Sequence, residues 1–216
     1  MDDTQQAQWN ATFSHRPDMF GSDPSEAAAA AAALFERTGQ KTVLELGSGQ
    51  GRDTLFLARR GFSVTVLDYA QAAVDIVVAK AKAEHLDGRV TARCHDVRMA
   101  LPFGDATFDC CYSHMLFCMA FTTAELERLA ADVWRVLKLG GLHVYTVRHA
   151  GDPHNRTGIQ RGEEMYEAGG FIVHFFDRTT VEHLADGYEL VDVITFEEGG
   201  LPRRLFRVTL RKVAES

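Results

Sequence analysis

The chain has 216 residues, enough for one α/β domain with a buried core. Its formal net charge is −7 and it carries no basic stripe, so we expect no nucleic acid among its partners. No apolar run is long enough to span a membrane, and the amino terminus lacks the basic start and apolar core of a secretion signal. The four cysteines lack the spacing of a zinc site. We therefore expect a cytoplasmic protein, a monomer or homodimer, with no metal site and no membrane partner.

Strand and helix signals alternate along the chain, which predicts βαβ units and a mostly parallel sheet. The first 20 residues are predicted to be irregular, and Asp23 is predicted to cap an alanine-rich helix that Gly39 ends. Further helices are predicted after the first, second and fourth strands, the last of them stopping at Gly140-Gly141, and near 179–186. The predicted strands are 42–46, 63–67, 90–95, 108–113, 142–147, 188–196 and 205–213.

These elements predict a single domain over residues 1–216, of the α/β class. It would hold a Rossmann-like, seven-stranded, mostly parallel sheet with an antiparallel last strand and helices on both faces. Residues 1–39 are interpreted as an amino-terminal lid and helix. The stretch 148–178 is rich in glycine and has no regular pattern, which is typical of a functional segment, and we interpret it as an insertion that caps the substrate. The final hairpin is predicted to turn at Gly199-Gly200 and Pro202.

A glycine-rich segment, Glu45-Leu46-Gly47-Ser48-Gly49-Gln50-Gly51, runs from the first predicted strand into a helix. Glycines there let the chain turn sharply and let a ligand approach the backbone. A dinucleotide fingerprint needs G-x-G-x-x-G, but Arg52 occupies the position of its third glycine. Glu45 precedes the loop and fits a ligand with an ammonium group better than one with a pyrophosphate.

Two aspartates follow the next two predicted strands. Asp68 ends the second strand, 19 residues after Gly49, where a carboxylate can accept hydrogen bonds from both hydroxyls of a ribose. Asp96 ends the third strand, where a carboxylate can receive the amino group of an adenine. Because open α/β sheets bind ligands at the carboxyl ends of their strands, we expect Glu45, Asp68 and Asp96 to share one site. The alternative is that both aspartates are ordinary turn residues.

Residues 41–149 resemble the class I S-adenosylmethionine (SAM)-dependent methyltransferases, because five of their sequence motifs occur here in the same order. ELGSGQG is similar to their first motif, VTVLDYA to the second and CHDV to the third. LPFGDATFDCCYS is similar to the segment leading into their fourth strand. LKLGG is similar to their "LKPGG" signature, with Leu139 in place of the usual proline. Five ordered matches are more specific than the glycine loop alone.

The resemblance implies SAM as the cofactor and a methyltransferase activity. Gly47, Ser48 and Gly49 would lie against the methionine part of SAM. Tyr69 would pack on the adenine, whose edge Asp96 and Val97 would hold. The residues expected at the cofactor are thus Glu45, Gly47, Ser48, Gly49, Gly51, Asp68, Tyr69, Asp96, Val97 and Ser113.

Methyl transfer from SAM is an in-line displacement, so it needs a general base only for a weakly nucleophilic acceptor. His114, just after the fourth strand, is the first candidate base and His149 the second; His114 as a packed strand-end residue is the alternative. The fourth strand is not followed by Asn/Asp-Pro-Pro-Tyr/Phe, the signature of methylation on nucleic-acid bases. The sequence therefore favours a small-molecule acceptor.

The acceptor pocket is expected between the amino-terminal segment and residues 148–177. Arginine and histidine converging on a pocket suit an anionic acceptor, although the residue types alone favour a solvated loop charge for any single one of them. The candidate substrate-binding residues are Arg16, Arg148, His154, Arg156 and Arg203, with Arg204 beside the last.

A looser resemblance links the chain to the tellurite-resistance (TehB-like) and thiopurine-methyltransferase-like group. It rests on Trp9-Asn10, Phe13 and Phe20-Gly21 near the amino terminus, and on the hairpin from Glu197 to Phe206. The similarity implies a soft acceptor, such as a thiol or a chalcogen oxyanion, which needs no strong base.

Two other functions remain open from the sequence. The chain could bind SAM without catalysis, as a regulatory partner; that protein would have no acceptor cavity beside the cofactor. A nicotinamide oxidoreductase is disfavoured by Arg52 at the position of the third fingerprint glycine.

Overall fold

The computed structural model describes residues 3–199 and 203–214. Its helices are α1 Asp3–His15, α2 Glu26–Arg37, α3 Arg52–Arg59, α4 Gln71–Ala83, α5 Thr123–Val136 and α6 Arg178–His183. Its strands are β1 Thr42–Leu46, β2 Ser63–Asp68, β3 Val90–Cys94, β4 Phe108–His114, β5 Leu137–Arg148, β6 Ile159–Gly162, β7 Met165–Ala168, β8 Phe171–His174, β9 Tyr188–Glu198 and β10 Arg203–Lys212.

Seven strands form the main sheet, in the order β3-β2-β1-β4-β5-β10-β9. The pairs within β3-β2-β1-β4-β5 are parallel, whereas β10 is antiparallel to both β5 and β9. The predicted Rossmann-like sheet with an antiparallel last strand is therefore confirmed. The strand order reverses between β1 and β4, and such a switch point opens a crevice at the carboxyl ends of the strands.

The sheet is covered by helices on both faces, as predicted. Alternate residues of a strand point to opposite faces, so Leu44 and Leu46 of β1 pack with α5 and α6, and Val43 packs with α2 and α3. α5 begins with a capping box, in which Thr122 and Glu125 each accept a hydrogen bond from the other's backbone. Helices therefore pack on both faces of the sheet.

Three predicted boundaries were wrong. Residues 3–15, expected to be irregular, form α1. The N-cap of α2 is Ser25 rather than Asp23, because the buried Asp53 carboxylate accepts hydrogen bonds from Ser25 N and Oγ while Ser25 Oγ accepts from Ala28 N. β5 begins at Leu137, before the Gly140-Gly141 pair, since Leu137 is extended and buried in the core.

The stretch 148–178 is more regular than predicted. It contains a separate antiparallel sheet in the order β6-β7-β8, followed by the start of α6. Part of the predicted final turn, residues 200–202, lies outside the described residues. Among the helices of the described part of the chain, none is long and apolar enough to cross a membrane.

Candidate functional site

The glycine loop passes from β1 into α3 as the sequence predicts. Gly47 N donates to Leu67 O of the neighbouring strand, at 2.8 Å. Gly47 has φ of +74°, and a Cβ there would lie 2.9 Å from the Leu116 side chain. Gly51, the N-cap of α3, has φ of +84°, and its Cβ would lie 2.8 Å from Val77. Side chains at either position would strain the backbone and push neighbours aside, which explains the two glycines.

Two buried carboxylates flank the loop. Glu45 is 2% exposed and Asp68 is 6% exposed. Asp68 accepts hydrogen bonds from Gly49 N at 3.0 Å and Ala70 N at 2.9 Å, whereas Glu45 Oε2 has no hydrogen-bond partner among the described residues. Burial raises the pKa of Glu45 to about 8 and that of Asp68 to about 6, because it penalises the charged form. A cation bound between them would favour ionisation of both groups.

Asp96 lies beyond the end of β3 and is held by Arg98. The Arg98 guanidinium donates to both oxygens of Asp96, with Nη2 at 2.7 Å from Oδ2. Burial alone would raise the pKa of Asp96, but the hydrogen bonds from Arg98 keep it below its ordinary value. The Arg98 guanidinium also lies 5.9 Å from the centre of the Tyr69 ring. The structure therefore brings together Tyr69 and Asp96, and adds a cation that the sequence did not single out.

His114 sits at the end of β4 within a chain of polar contacts. The Thr146 hydroxyl accepts from Met115 N at 2.9 Å and lies 3.0 Å from His114 Nδ1, so its own proton is free to be donated to Nδ1. That tautomer leaves the proton on Nε2, which lies 3.3 Å from Glu198 Oε2. Burial lowers the pKa of His114, so the ring is neutral near pH 7.

Glu198, the last residue of β9, joins two parts of the fold at this point. Its Oε1 accepts from Arg52 Nη2 at 3.1 Å. Its Oε2 is buried and makes no hydrogen bond within the described residues. The Arg52 guanidinium lies over the Phe20 ring at 5.8 Å. A carboxylate oxygen with a free lone pair thus faces the site beside His114.

The predicted substrate cations do not form an open positive cluster. Arg148 is buried, and its guanidinium pairs with both oxygens of Asp152, whose side chain is fully buried. His154 Nδ1 lies 3.0 Å from Arg148 Nη2, and Asp152 also accepts from Arg204 N. Asp152 therefore offsets the charge of Arg148. Arg203 is half-buried and makes no side-chain hydrogen bond to a described residue.

A single cavity of about 590 Å³ lies over these groups. It opens at the carboxyl ends of β1, β2 and β4. Its far side is formed by α1 and by the β6-β7-β8 sheet, with Trp9 and Phe171 in contact at 4.6 Å between ring centres. The predicted residues that line it are Glu45, Gly47, Ser48, Asp68, Tyr69, Asp96, Val97, His114, Arg148, His154 and Arg203.

The other predicted residues lie outside the cavity lining. Arg16 is exposed, and Arg156 is exposed with Glu164 3.6 Å away. His149 stacks on Phe206 at 4.8 Å and accepts a hydrogen bond from Gly151 N. Gly49, Gly51 and Ser113 do not line the cavity either, although Gly49 N donates to Asp68.

The sequence reading missed the aromatic wall of β7 and β8 and the role of Glu198. The wall had a usable signal, since Gly169-Gly170 is a two-residue hairpin turn between short strand-like runs. Glu198 had none, because its contact with Arg52 joins residues 146 positions apart.

Comparison with known proteins finds methyltransferases among those that the chain resembles. Residues 43–141 match the sequence model of a family described as a methyltransferase domain. A phosphoethanolamine N-methyltransferase of Triticum aestivum is 34% identical over 118 residues, covering 52% of this chain and 22% of that protein. A demethylmenaquinone methyltransferase of Tropheryma whipplei is 31% identical over 113 residues, covering 52% of this chain and 44% of that protein. The chain spans less than half the length of the curated relatives it matches.

Solved structures share the fold over nearly the whole chain. The CcbJ methyltransferase of Streptomyces caelestis has a TM-score of 0.77 at 18% identity, covering 99% of this chain and 100% of that one. A didemethyltoxoflavin N1-methyltransferase of Burkholderia thailandensis, solved with S-adenosylhomocysteine, has a TM-score of 0.76 at 18% identity, covering 98% and 88%. TehB of Haemophilus influenzae, at 0.69 and 15% identity over 94% and 67%, is one neighbour among many, so the TehB-like subfamily stays a prediction. Residues 43–141 are thus similar in sequence to a methyltransferase domain, and the chain has the Rossmann-like fold of solved methyltransferases.

Proposed function

We propose that the protein transfers the methyl group of SAM to a small-molecule acceptor bound in the 590 Å³ cavity. The observation that carries this proposal is the polar edge of the cavity at the ends of β1 and β2. There, Glu45 Oε2 and Ser48 Oγ are buried without hydrogen-bond partners among the described residues. Buried polar atoms without partners are costly, so such atoms in a cavity lining indicate a bound ligand that satisfies them.

The residues at this edge fit SAM in charge and in shape. Glu45 would receive the ammonium group, and Ser48 the amino-acid end. Asp68 has lone pairs left for ribose hydroxyls after its two backbone hydrogen bonds. Tyr69 and Val97 offer apolar surface to an adenine ring. Bound SAM supplies a methyl group activated by a sulfonium, and the chain positions it and excludes water.

The proton of a protic acceptor needs a destination, and Glu198 is better placed to take it than His114. His114 carries its proton on Nε2 when Thr146 donates to Nδ1. Glu198 Oε2 has no hydrogen bond within the described residues, and Arg52 on Oε1 keeps the carboxylate in place. We assign Glu198 the role of the candidate base, with His114 Nε2 beside it at 3.3 Å.

The depth of the cavity favours catalysis over SAM binding alone. Beyond the carboxylates it continues to Arg148, Tyr166 and Phe175. A regulatory protein that only bound SAM would have no need of this second chamber. Because Asp152 offsets the charge of Arg148, Arg203 is the cation best able to meet an anionic group of the acceptor. The thiol and chalcogen-oxyanion acceptors implied by the TehB-like resemblance remain part of the proposal to be tested.

The test is methyl transfer from SAM labelled in its methyl group to a panel of thiols, chalcogen oxyanions, carboxylates and phenols. We expect label in at least one class of product, together with S-adenosylhomocysteine. Tight SAM binding with no turnover on any class would instead support a non-catalytic SAM-binding protein.

A further inference from the structure

One part of the cavity lining differs in chemistry from the cofactor edge. We call this the acceptor chamber and define it by Trp9, Met115, Met119, Tyr166, Phe171 and Phe175, all of which line the cavity. These six side chains come from α1, from the segment after β4, and from β7, β8 and the residue after β8. Three separate parts of the chain thus contribute aromatic or thioether groups to one space.

The aromatic groups of the chamber contact one another in pairs. Trp9 and Phe171 are tilted by 53° at 4.6 Å, and Tyr166 and Phe175 by 60° at 6.3 Å. Trp9 also stacks on Phe13 at 5.3 Å, and such offset and edge contacts are the ones that a further aromatic ring favours. Met115 and Met119 add polarisable sulfur, which packs well against aromatic rings.

The cation that lies against this chamber, Arg148, is already compensated. Arg148 lies over the Phe175 ring at 5.5 Å, but its guanidinium is paired with the buried Asp152. His154 contacts the same pair. A small oxyanion would therefore meet apolar walls and a cation whose charge is offset. It would lose its hydration without gaining ionic contacts or hydrogen bonds that compensate for the loss.

Resting on the proposed methyltransferase function, we propose that the acceptor is a flat aromatic or heteroaromatic molecule that is methylated on a protic ring substituent or ring nitrogen. Its ring packs among Trp9, Phe171 and Phe175. A bond forms between the acceptor oxygen or nitrogen and the methyl carbon while the carbon–sulfur bond breaks. The electron pair of that bond stays on sulfur to give S-adenosylhomocysteine, and the acceptor's proton passes to the Glu198 carboxylate.

The experiment has two arms on the full chain. Calorimetry first measures S-adenosylhomocysteine binding, which tests the cofactor site alone. With that site saturated, binding of 2-naphthol, catechol and 8-hydroxyquinoline is compared with that of 2-mercaptoethanol, selenite and propionate. Turnover with labelled SAM is measured on the same six compounds. We expect binding and turnover to be concentrated in the aromatic set.

Phe171→Leu tests the chamber itself, with Ile159→Ala on the same small sheet as an exposed control. We expect Phe171→Leu to lower kcat/KM for the aromatic acceptor about tenfold, through loss of an aromatic contact, while the affinity for S-adenosylhomocysteine is unchanged. Phe175→Leu provides a second variant should the first fail to fold.

The possible failures are distinct. Absence of S-adenosylhomocysteine binding would overturn the proposed function and this inference with it. Normal S-adenosylhomocysteine binding, with no aromatic compound bound or methylated, or with turnover confined to selenite or the thiol, would overturn the aromatic acceptor alone. Equal loss in Phe171→Leu and Ile159→Ala would also contradict the assigned chamber.

Discussion

The Glu45 carboxyl is almost completely buried at the end of β1, and burial raises its pKa from the ordinary 4.5 to about 8. The folded protein therefore binds this proton more tightly than the unfolded chain does. The resulting stability is fully present below about pH 4.5 and is lost as the pH rises toward 8, by an amount on the order of a few kcal/mol. Asp68 has a raised pKa of about 6, so its contribution to stability is likewise present at low pH and is lost as the pH rises toward 6.

We predict that Glu45→Gln reduces the pH dependence of stability. Urea unfolding at about pH 5.5 and about pH 8.5 should show the wild-type protein losing more free energy of unfolding than the variant over this interval. The wild-type protein acts as the reference for all other titrating groups. Parallel losses in the two proteins would show that Glu45 is ionised in both the folded and the unfolded state.

Glu198 and its neighbour Glu197 provide a matched pair for the proposed base. Glu197 is exposed and pairs with Arg204, whereas Glu198 lines the cavity. For a protic acceptor, we predict that Glu198→Gln lowers kcat by roughly 10²-fold or more, with a smaller change in KM. Glu197→Gln should stay within about twofold of wild type, as a surface substitution. A kcat of Glu198→Gln equal to that of Glu197→Gln would remove Glu198 from the mechanism.

Single residues were predictable from the sequence where their role depends on local position. Asp68 ends a strand and follows the glycine loop, and both facts can be read along the chain. Arg148 and Asp152 are only four residues apart, so their pairing is also local. Arg148 is unsuited to bind an anion, however, only because the Asp152 that offsets its charge is fully buried. Burial of a loop carboxylate depends on tertiary packing, and the sequence pattern does not contain it.

Among the elements, the central βαβ units were predictable and the two covering parts were not. A helix follows each of β1, β2 and β4 and leads into the next parallel strand, so the hydrophobic pattern and the turn residues predict the same structure there. α1 is polar over most of its length, as Asp3-Thr4-Gln5-Gln6 illustrates, and is held by tertiary contacts instead. Its helical state follows from packing on α4 and β8 rather than from an apolar stripe.

Two adjacent glutamines of α1 tie the helix to different sides of the cavity. Gln5 donates to Gly170 O at 2.8 Å and accepts from Ile172 N, on the acceptor side. Gln6 donates to Tyr69 O at 2.7 Å, on the cofactor side. Gln5 therefore links α1 to the acceptor side of the cavity, and Gln6 links it to the cofactor side.

We predict that Gln5→Ala raises KM for the acceptor about fivefold, the effect of about 1 kcal/mol for a lost hydrogen bond, with SAM affinity unchanged. Gln6→Ala should weaken SAM binding by a similar factor and leave the acceptor KM nearly constant. Steady-state kinetics and calorimetry on both variants give the comparison. Identical effects of the two substitutions on both ligands would mean that α1 responds as one rigid cover.

At the scale of the whole molecule, the cavity depends on four parts that are distant along the chain. The ends of β1 and β2 supply the carboxylates, α1 and the β6-β7-β8 sheet supply the cover, and the end of β9 supplies Glu198. The sheet and its cofactor edge follow from motifs in residues 41–149. The acceptor side does not, because its residues meet only after the chain has folded around the sheet.

The central claim is that the edge formed by Glu45, Ser48 and Asp68 binds SAM. The most direct measurement is a calorimetric titration of S-adenosylhomocysteine into the wild-type protein, Asp68→Ala and the exposed control Asp75→Ala on α4. We predict that Asp68→Ala weakens binding by roughly 1–3 kcal/mol, since ligand hydroxyls lose their partner, while Asp75→Ala binds as the wild type does. No binding to the wild-type protein, or an affinity unaltered by Asp68→Ala, would contradict the account.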